Sequence, residues 1–235
     1  MRELVVSLDA LATLAQRTRP REPALVVAAS LAELAGAEAI RVGVNEDMRP
    51  VRETDLRDLR RATRRLELRM TPAPALLKVA LEAQPERALL VSEAREDGRP
   101  GPLDLREWGN ALAPAVRTLG EAGIAVSVLA AADFEVVKAA HAAGAAGVEL
   151  YTGTIVDLPF AERETELESL ANTSRLAAKL RLTVSVGGEL GYRNVREVLE
   201  RVPVVARVAV GRAWAWRCAL VGVDRAARDL RALLG

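Results

Sequence analysis

Two rhythms of apolar and polar positions alternate along this 235-residue chain. Short runs rich in β-branched residues each precede a longer stretch where Ala and Leu recur among Glu and Arg at helical spacing. LVVSL (4–8) precedes a helical pattern at about 22–36, AIRVGV (39–44) one at about 53–64, and LELRM (66–70) one at 72–83. ALLV (88–91) precedes a loop and then about 105–122, IAVSVL (124–129) precedes 133–143, and GVELYT (147–152) precedes 161–180. LTVSVG (182–187) precedes 194–201, and VARVAV (205–210) precedes 214–233. Strands alternating with helices predict a parallel sheet. Eight such pairs in this length predict an α/β fold of one domain, residues 1–235: a closed (β/α)8 TIM barrel with one or more extra helices. An open doubly wound sheet fits less well, because no GxGxxG follows the first strand. Gly36, Gly123 and Gly144 fall where left-handed C-caps belong, and Asp133 and Asn194 where N-caps belong.

Composition narrows the chemistry. Half of the residues are hydrophobic and 28% are charged, enough apolar matter for a large core. Lys+Arg 33 against Asp+Glu 32 leaves +1, so no charge excess favours nucleic acid or an anionic membrane surface. One cysteine, Cys218, excludes an intrachain disulfide, and one histidine, His141, excludes a His-rich metal site or a pair of imidazoles. No cofactor or metal is expected. The amino-terminal MRELVVSLDALATLAQR does not read as a secretory signal, and no apolar run reaches the ~18 residues of a membrane span. A cytoplasmic protein is expected.

Barrel enzymes build their sites from the C-terminal ends of the strands. Those ends carry Ser7 and Asp9, Asn45, Arg69, Glu149 with Tyr151 and Thr152, Gly187 and Gly188, and Gly211 and Arg212. Glu149 is the candidate catalytic residue, as an acid/base or a substrate clamp, since a carboxylate inside an apolar strand needs a partner. Arg69 and Arg207 are its nearest candidate partners, and a purely structural Arg–Glu pair is the competing reading. GGELG (187–191) and VGRAW (210–214) follow the last two strands, where barrels often bind phosphate with backbone N–H groups and a helix N-terminus. Ser7, Asp9, Asn45, Arg69, Thr152, Gly187, Gly188, Gly211 and Arg212 are the candidate ligand-binding set. The breaker-rich stretch EAREDGRPGPLD (93–104) is either an active-site lid or an ordinary loop. Trp214 and Trp216 read as packing or subunit contact, His141 as a surface or packing residue, and Cys218 as a small buried apolar residue.

SLDALATL (7–14), LAELAGAEAIRVGVNEDMRPV (31–51), EAGIAVSVL (121–129), AAGAAGVELYTG (142–153), SVGGELGYRNV (185–195) and AVGRA (209–213) resemble the pyridoxine 5'-phosphate synthase family over essentially the whole chain. The resemblance implies a (β/α)8 barrel with added helices, assembled as an octamer of dimers. It also implies condensation of 1-deoxy-D-xylulose 5-phosphate with 3-amino-2-oxopropyl phosphate to pyridoxine 5'-phosphate.

The family's reacting residues do not carry over. Gly43 stands where the family has a general-base His, Asn45 where it has a phosphate-binding Arg, and Pro50 at a later His. Arg69 replaces its catalytic Glu, and Gly188 its proton-donor His, followed by Glu189 in place of Gly. The first strand's Asn-x-Asp-His is here Ser7, Leu8, Asp9, Ala10, and Arg212 replaces the His after Gly211. Asp9, Glu149, Thr152, Gly153, Gly187, Tyr192, Asn194 and Gly211 match, and Arg17 or Arg19 stands in for a basic residue beyond the first strand. A positioned acid or base supplies about 10²–10⁴-fold each, so these losses cost several orders of magnitude. The expectation is a barrel that binds a small phosphorylated or anionic metabolite without the family's His/Glu set. The alternatives are a scaffold or partner subunit of an active synthase, as homo- or hetero-oligomer, and a genuine synthase with rearranged catalysis.

Overall fold

The computed structural model describes residues 1–19, 24–94, 100–156, 158–202 and 204–235. The chain runs β1 (Glu3–Ser7), α1 (Asp9–Thr18), α2 (Ala24–Leu34), β2 (Ala39–Gly43), α3 (Glu53–Ala62), β3 (Leu66–Met70), α4 (Pro74–Ala83) and β4 (Arg87–Leu90). It continues with β5 (Ser92–Ala94), β6 (Pro100–Gly101), α5 (Leu105–Glu121), β7 (Ala125–Ala130), α6 (Phe134–Ala142), β8 (Gly147–Tyr151) and a 3-10 turn at Gly153–Val156. The last elements are α7 (Phe160–Lys179), β9 (Thr183–Gly187), α8 (Val195–Arg201), β10 (Arg207–Val210), α9 (Arg212–Val221) and α10 (Val223–Arg231). Eight parallel strands close in the order β1-β10-β9-β8-β7-β4-β3-β2. The predicted barrel is therefore the observed one.

Local chemistry explains the element ends. Gly36, Gly123 and Gly144 have φ of 105°, 78° and 83°, as the C-cap reading requires. The Asp133 carboxylate accepts from the Glu135 N–H at 2.8 Å and caps α6. Asn194 precedes α8, but its side chain makes no cap bond; it bridges the preceding turn instead. Two helices were absent from the sequence reading as separate elements. α1 follows β1 directly, and the expected helix at about 214–233 is split at Gly222 into α9 and α10. The loop at 93–104 begins and ends as an antiparallel pair, β5 with β6; the middle of the proposed lid, 95–99, lies outside the described residues.

Two kinds of interior result. Outward-facing strand residues such as Leu4, Val6, Ile40, Leu68, Leu90, Val128, Val148 and Val208 pack against the helices. Inside the barrel, the apolar residues among those described gather in two small groups, Val5–Ala39–Ala209 and Leu89–Val91–Leu129–Tyr151. Between them lies charge. Arg41 on β2 donates from Nη1 and Nη2 to the two Glu149 oxygens at 2.8 and 2.7 Å, and from Nε and Nη2 to Glu67 Oε2 at 3.2 and 3.0 Å. Arg207 donates to Glu67 Oε1 and, at 2.7 Å, to Glu3. Arg87 approaches Glu67 at 3.8 Å and donates to Ser127 Oγ at 2.9 Å.

Burial of this kind is tolerated only with excellent pairing. Three guanidiniums meet three carboxylates, so the network is neutral. Burial alone raises the Glu67 carboxyl, but Arg41 and Arg207 more than offset this and hold it below its ordinary 4.5. The same guanidinium, Arg207, with Arg65, holds partly buried Glu3 low against its own desolvation. Losing one member strands a buried charge, which costs about 3–5 kcal/mol.

Glu149→Gln should therefore lower the melting temperature by about 10 °C, read by calorimetry; an unchanged value would refute the network's structural role. A depressed folded-state pKa means stability that is complete above the unfolded value near 4.5 and lost as pH falls through the folded one. Melting temperature should thus be flat from about pH 6 to 8 and fall below about pH 4.5, less steeply in Glu67→Gln than in the parent.

Candidate active site

The C-terminal mouth of the barrel opens into a cavity of about 630 Å³. Ser7, Asp9, Arg17, Arg69, Tyr151, Gly188, Glu189, Gly211 and Arg212 line it, with Arg41 and Glu149 at its floor. The sequence-predicted residues Ser7, Asp9, Arg69, Glu149, Gly188, Gly211 and Arg212 are thus brought together. Of the two basic residues after the first strand, Arg17 reaches the mouth, whereas Arg19 lines a separate cavity beside α2.

Asp9 organises one side. Its Oδ1 accepts the Gly43 N–H at 2.5 Å, and its Oδ2 accepts from Ser7 Oγ at 2.8 Å and pairs with Arg69 Nη2 at 3.1 Å. On the other side Arg212 pairs with Glu189 at 2.8 Å. The turn between them is tied by Asn194, which accepts from the Gly191 N–H at 2.8 Å and donates to the Glu189 carbonyl at 3.1 Å.

The partner expected for Glu149 needs correction. Neither Arg69 nor Arg207 reaches it: Arg69 is held by Asp9 and Arg207 by Glu3 and Glu67. Arg41 takes both carboxylate oxygens. Parity along the strand could have found it, because Arg41 lies two residues before Gly43 and so on the same face of β2. Held in this bidentate grip, Glu149 is a structural anion first. Three other predicted ligands lie off the main cavity. Thr152 is fully buried and donates to the Gly187 and Gly188 carbonyls at 3.1 and 2.5 Å. Gly187 is buried, and a Cβ there would collide with the Glu149 carboxylate. Asn45 donates to the Arg49 carbonyl at 2.9 Å and lines an adjoining cavity of about 420 Å³, which Arg69 also borders.

Two close approaches define the floor of the mouth. A Cβ at Gly43 would sit 2.5 Å from Arg69 Nη2, and a Cβ at Gly188, where φ is +94°, would sit 2.5 Å from the Tyr151 ring. Arg69 and Tyr151 therefore occupy the space into which side chains at 43 and 188 would project. His141 lies exposed on α6, far from the mouth in sequence and element, and no imidazole stands at the mouth. Cys218 is half-buried rather than buried, and desolvation pushes its thiol up to about 11. Trp214 is fully buried and Trp216 is 71% exposed. Among the described residues no group of three His, Cys, Asp or Glu is placed to hold a metal ion, and no helix is long and apolar enough to cross a membrane.

Solved structures share the architecture. Phosphoribosyl anthranilate isomerase from Thermococcus kodakaraensis superimposes with a TM-score of 0.65 at 16% identity, covering 100% of this chain and 99% of that one. Thiamine phosphate pyrophosphorylase from Pyrococcus furiosus gives 0.61 at 19%, covering 99% and 94%. These likenesses place the molecule among (β/α)8-barrel proteins and show the fold alone. Sequence goes further. The family profile described as "Pyridoxal phosphate biosynthesis protein PdxJ" matches residues 4–235. The pyridoxine 5'-phosphate synthase of Syntrophobacter fumaroxidans is 37% identical over 100% of this chain and 99% of its own. That of Synechococcus sp. (strain JA-2-3B'a(2-13)) is 38% identical over the same shares. The chain belongs to the PdxJ family.

Gly188→Ala should cost about 1–3 kcal/mol, from its left-handed backbone and the crowding of Tyr151. Pairing it with Tyr151→Ala should relieve the crowding but leave the backbone strain, and a chemical-denaturation cycle on the two changes measures the coupling.

Proposed function

We propose that this PdxJ-family barrel binds a small phosphorylated metabolite at its C-terminal mouth and does not run the family's proton transfers through the family's residues. One observation supports the reading: guanidiniums outnumber carboxylates around the mouth among the described residues, and Gly43, Arg69 and Gly188 stand at the positions where the resemblance puts acids and bases. Arg17, Arg41, Arg69 and Arg212 face Asp9, Glu149 and Glu189 around the cavity. The three carboxylates pair with Arg69, Arg41 and Arg212 respectively, and Arg17 has no ion-pair partner among the described residues. Among the described residues Arg17 is thus the cation that the reading assigns to a ligand.

The phosphate belongs at Gly211–Arg212. There α9 begins, and its first backbone acceptance is Ala215 N–H to the Gly211 carbonyl at 2.9 Å. The N–H groups ahead of it, with the helix dipole, favour an oxyanion. Arg212 and Arg17 add charge-assisted hydrogen bonds. A guanidinium at 69 cannot act as a base near neutral pH, and glycines at 43 and 188 move no proton. Both Glu149 oxygens are taken by Arg41.

Whole-length identity of 37% to a named synthase favours a second reading, a working pyridoxine 5'-phosphate synthase with rearranged catalysis. A third expectation is assembly with itself or with an active synthase; Trp216 and Leu220, exposed on α9, are its surface signal. Co-purification with either partner supports it, and a strictly solitary monomer removes it.

A panel of sugar phosphates and vitamin B6 phosphates, tested by thermal shift, should contain a ligand that stabilises the protein by about 2.7 kcal/mol at one hundred times its Kd. Arg212→Ala and Arg17→Ala should each weaken that ligand about tenfold. No shift with any of the panel would sink the binding reading. Complementation of a pyridoxine auxotroph should fail; growth at the parental rate would install the second reading in its place.

A further inference from the structure

The opposite end of the barrel carries a second cavity, of about 700 Å³. Its wall is made by the N-terminal ends of the strands: Glu3 opens β1, Arg87 opens β4, Arg207 opens β10, and Arg65 immediately precedes β3. Arg2, Glu86 and Leu234 also line it, with Met1 and Gly235 beside them. Among the lining side chains, four guanidiniums therefore face two carboxylates. Behind them stand Glu67, Arg41 and Glu149, and with these included five guanidiniums face four carboxylates.

The pairing is also geometrically incomplete. Arg65 is satisfied by Glu3 and Glu86, at 3.1 and 3.5 Å. Among the described residues, the Arg2 guanidinium donates to the Leu234 carbonyl at 3.2 Å and has no ion-pair partner. Arg207 is 5% exposed, and its Nη1 has no hydrogen-bond acceptor among the described residues. Arg87 stays 3.8 Å from the Glu67 carboxylate and donates to the neutral Ser127 hydroxyl at 2.9 Å. Its burial and the neighbouring Arg207 and Arg41 guanidiniums lower its pKa, while Glu67 and Glu3 act in the opposite sense. A buried donor without an acceptor costs about 1–3 kcal/mol, so such a cluster favours an acceptor brought from outside. A tetrahedral oxyanion suits it, because guanidinium forks match phosphate geometry in two-point contacts.

We propose that the N-terminal mouth of the barrel is an anion site for inorganic phosphate or a phosphate monoester, held chiefly by Arg87 with Arg2 and Arg207. The bound group would tie the starts of β4 and β10 to the segment before β1, and so brace the barrel from below. The site is distinct from the C-terminal mouth and does not depend on what binds there.

Inorganic phosphate is titrated into the purified full chain at fixed ionic strength, with chloride as the balancing anion, and melting temperature and calorimetric heat are read. Two variants carry the decision: Arg87→Met removes the principal donor, and Arg2→Ala removes a rim donor at little risk to folding. Arg212→Ala reports on the other mouth. Phosphate stabilisation that persists in Arg212→Ala and weakens about tenfold in both Arg87→Met and Arg2→Ala supports the site. Stabilisation lost in Arg212→Ala but kept in the other two variants overturns it, and so does no phosphate effect beyond chloride. Repeating the titration with a bulky phosphate monoester separates the sources: binding equal to that of phosphate marks the open cavity as taking the ester, and loss restricts the site to the free ion.

Discussion

Everything above and below the centre of this barrel depends on the grip of Arg41 on Glu149 and Glu67. Barrel interiors are ordinarily filled by branched apolar side chains in layers. Here the middle is filled by long charged ones whose reach spans from β2 across to β8. A charge in such a place survives only if every partner is present. Because the three Arg and three Glu form a neutral set, the cost of dehydration is offset by short, multiple hydrogen bonds, and exchanging one member alone leaves a buried charge without its counter-charge.

That constraint decides what the mouth can do. Glu149 has the position of a reagent and the bonding of a girder. With it anchored, the remaining groups at the rim form pairs, Asp9 with Arg69 and Glu189 with Arg212. Arg69 and Tyr151 lie over Gly43 and Gly188, so the shape of the floor is maintained by different atoms. The groups presented at the rim are chiefly guanidinium and backbone N–H, the basis of the anion-binding reading proposed above. The same group recurs at the far end, where Arg87 and Arg207 are the bottom rungs of the one network. Filling a barrel with arginine thus leaves guanidinium groups at both of its ends.

Much of the fold was legible from the chain itself. Period-two runs and helical spacing are local properties, and they located all eight barrel strands to within a residue or two. The glycines at 36, 123 and 144 marked helix ends because left-handed backbone is cheap only for glycine. α1 is hidden from strand–helix alternation, which pairs one helix with each strand, although DALATLAQRT carries its own apolar face. The break at Gly222 escaped for a related reason: helical spacing continues through a glycine even where the backbone turns.

The family and the roster of residues at the strand ends were likewise determined by the sequence alone, since both are matters of order along the chain. Which charge meets which was decided only by tertiary structure. Arg41, Arg69 and Arg207 all point inward by parity, and nothing local distinguishes them as partners for Glu149. Closure of the barrel, the stagger between strands and the length of each side chain made the choice, because an ion pair depends on distances across the sheet that no stretch of sequence contains.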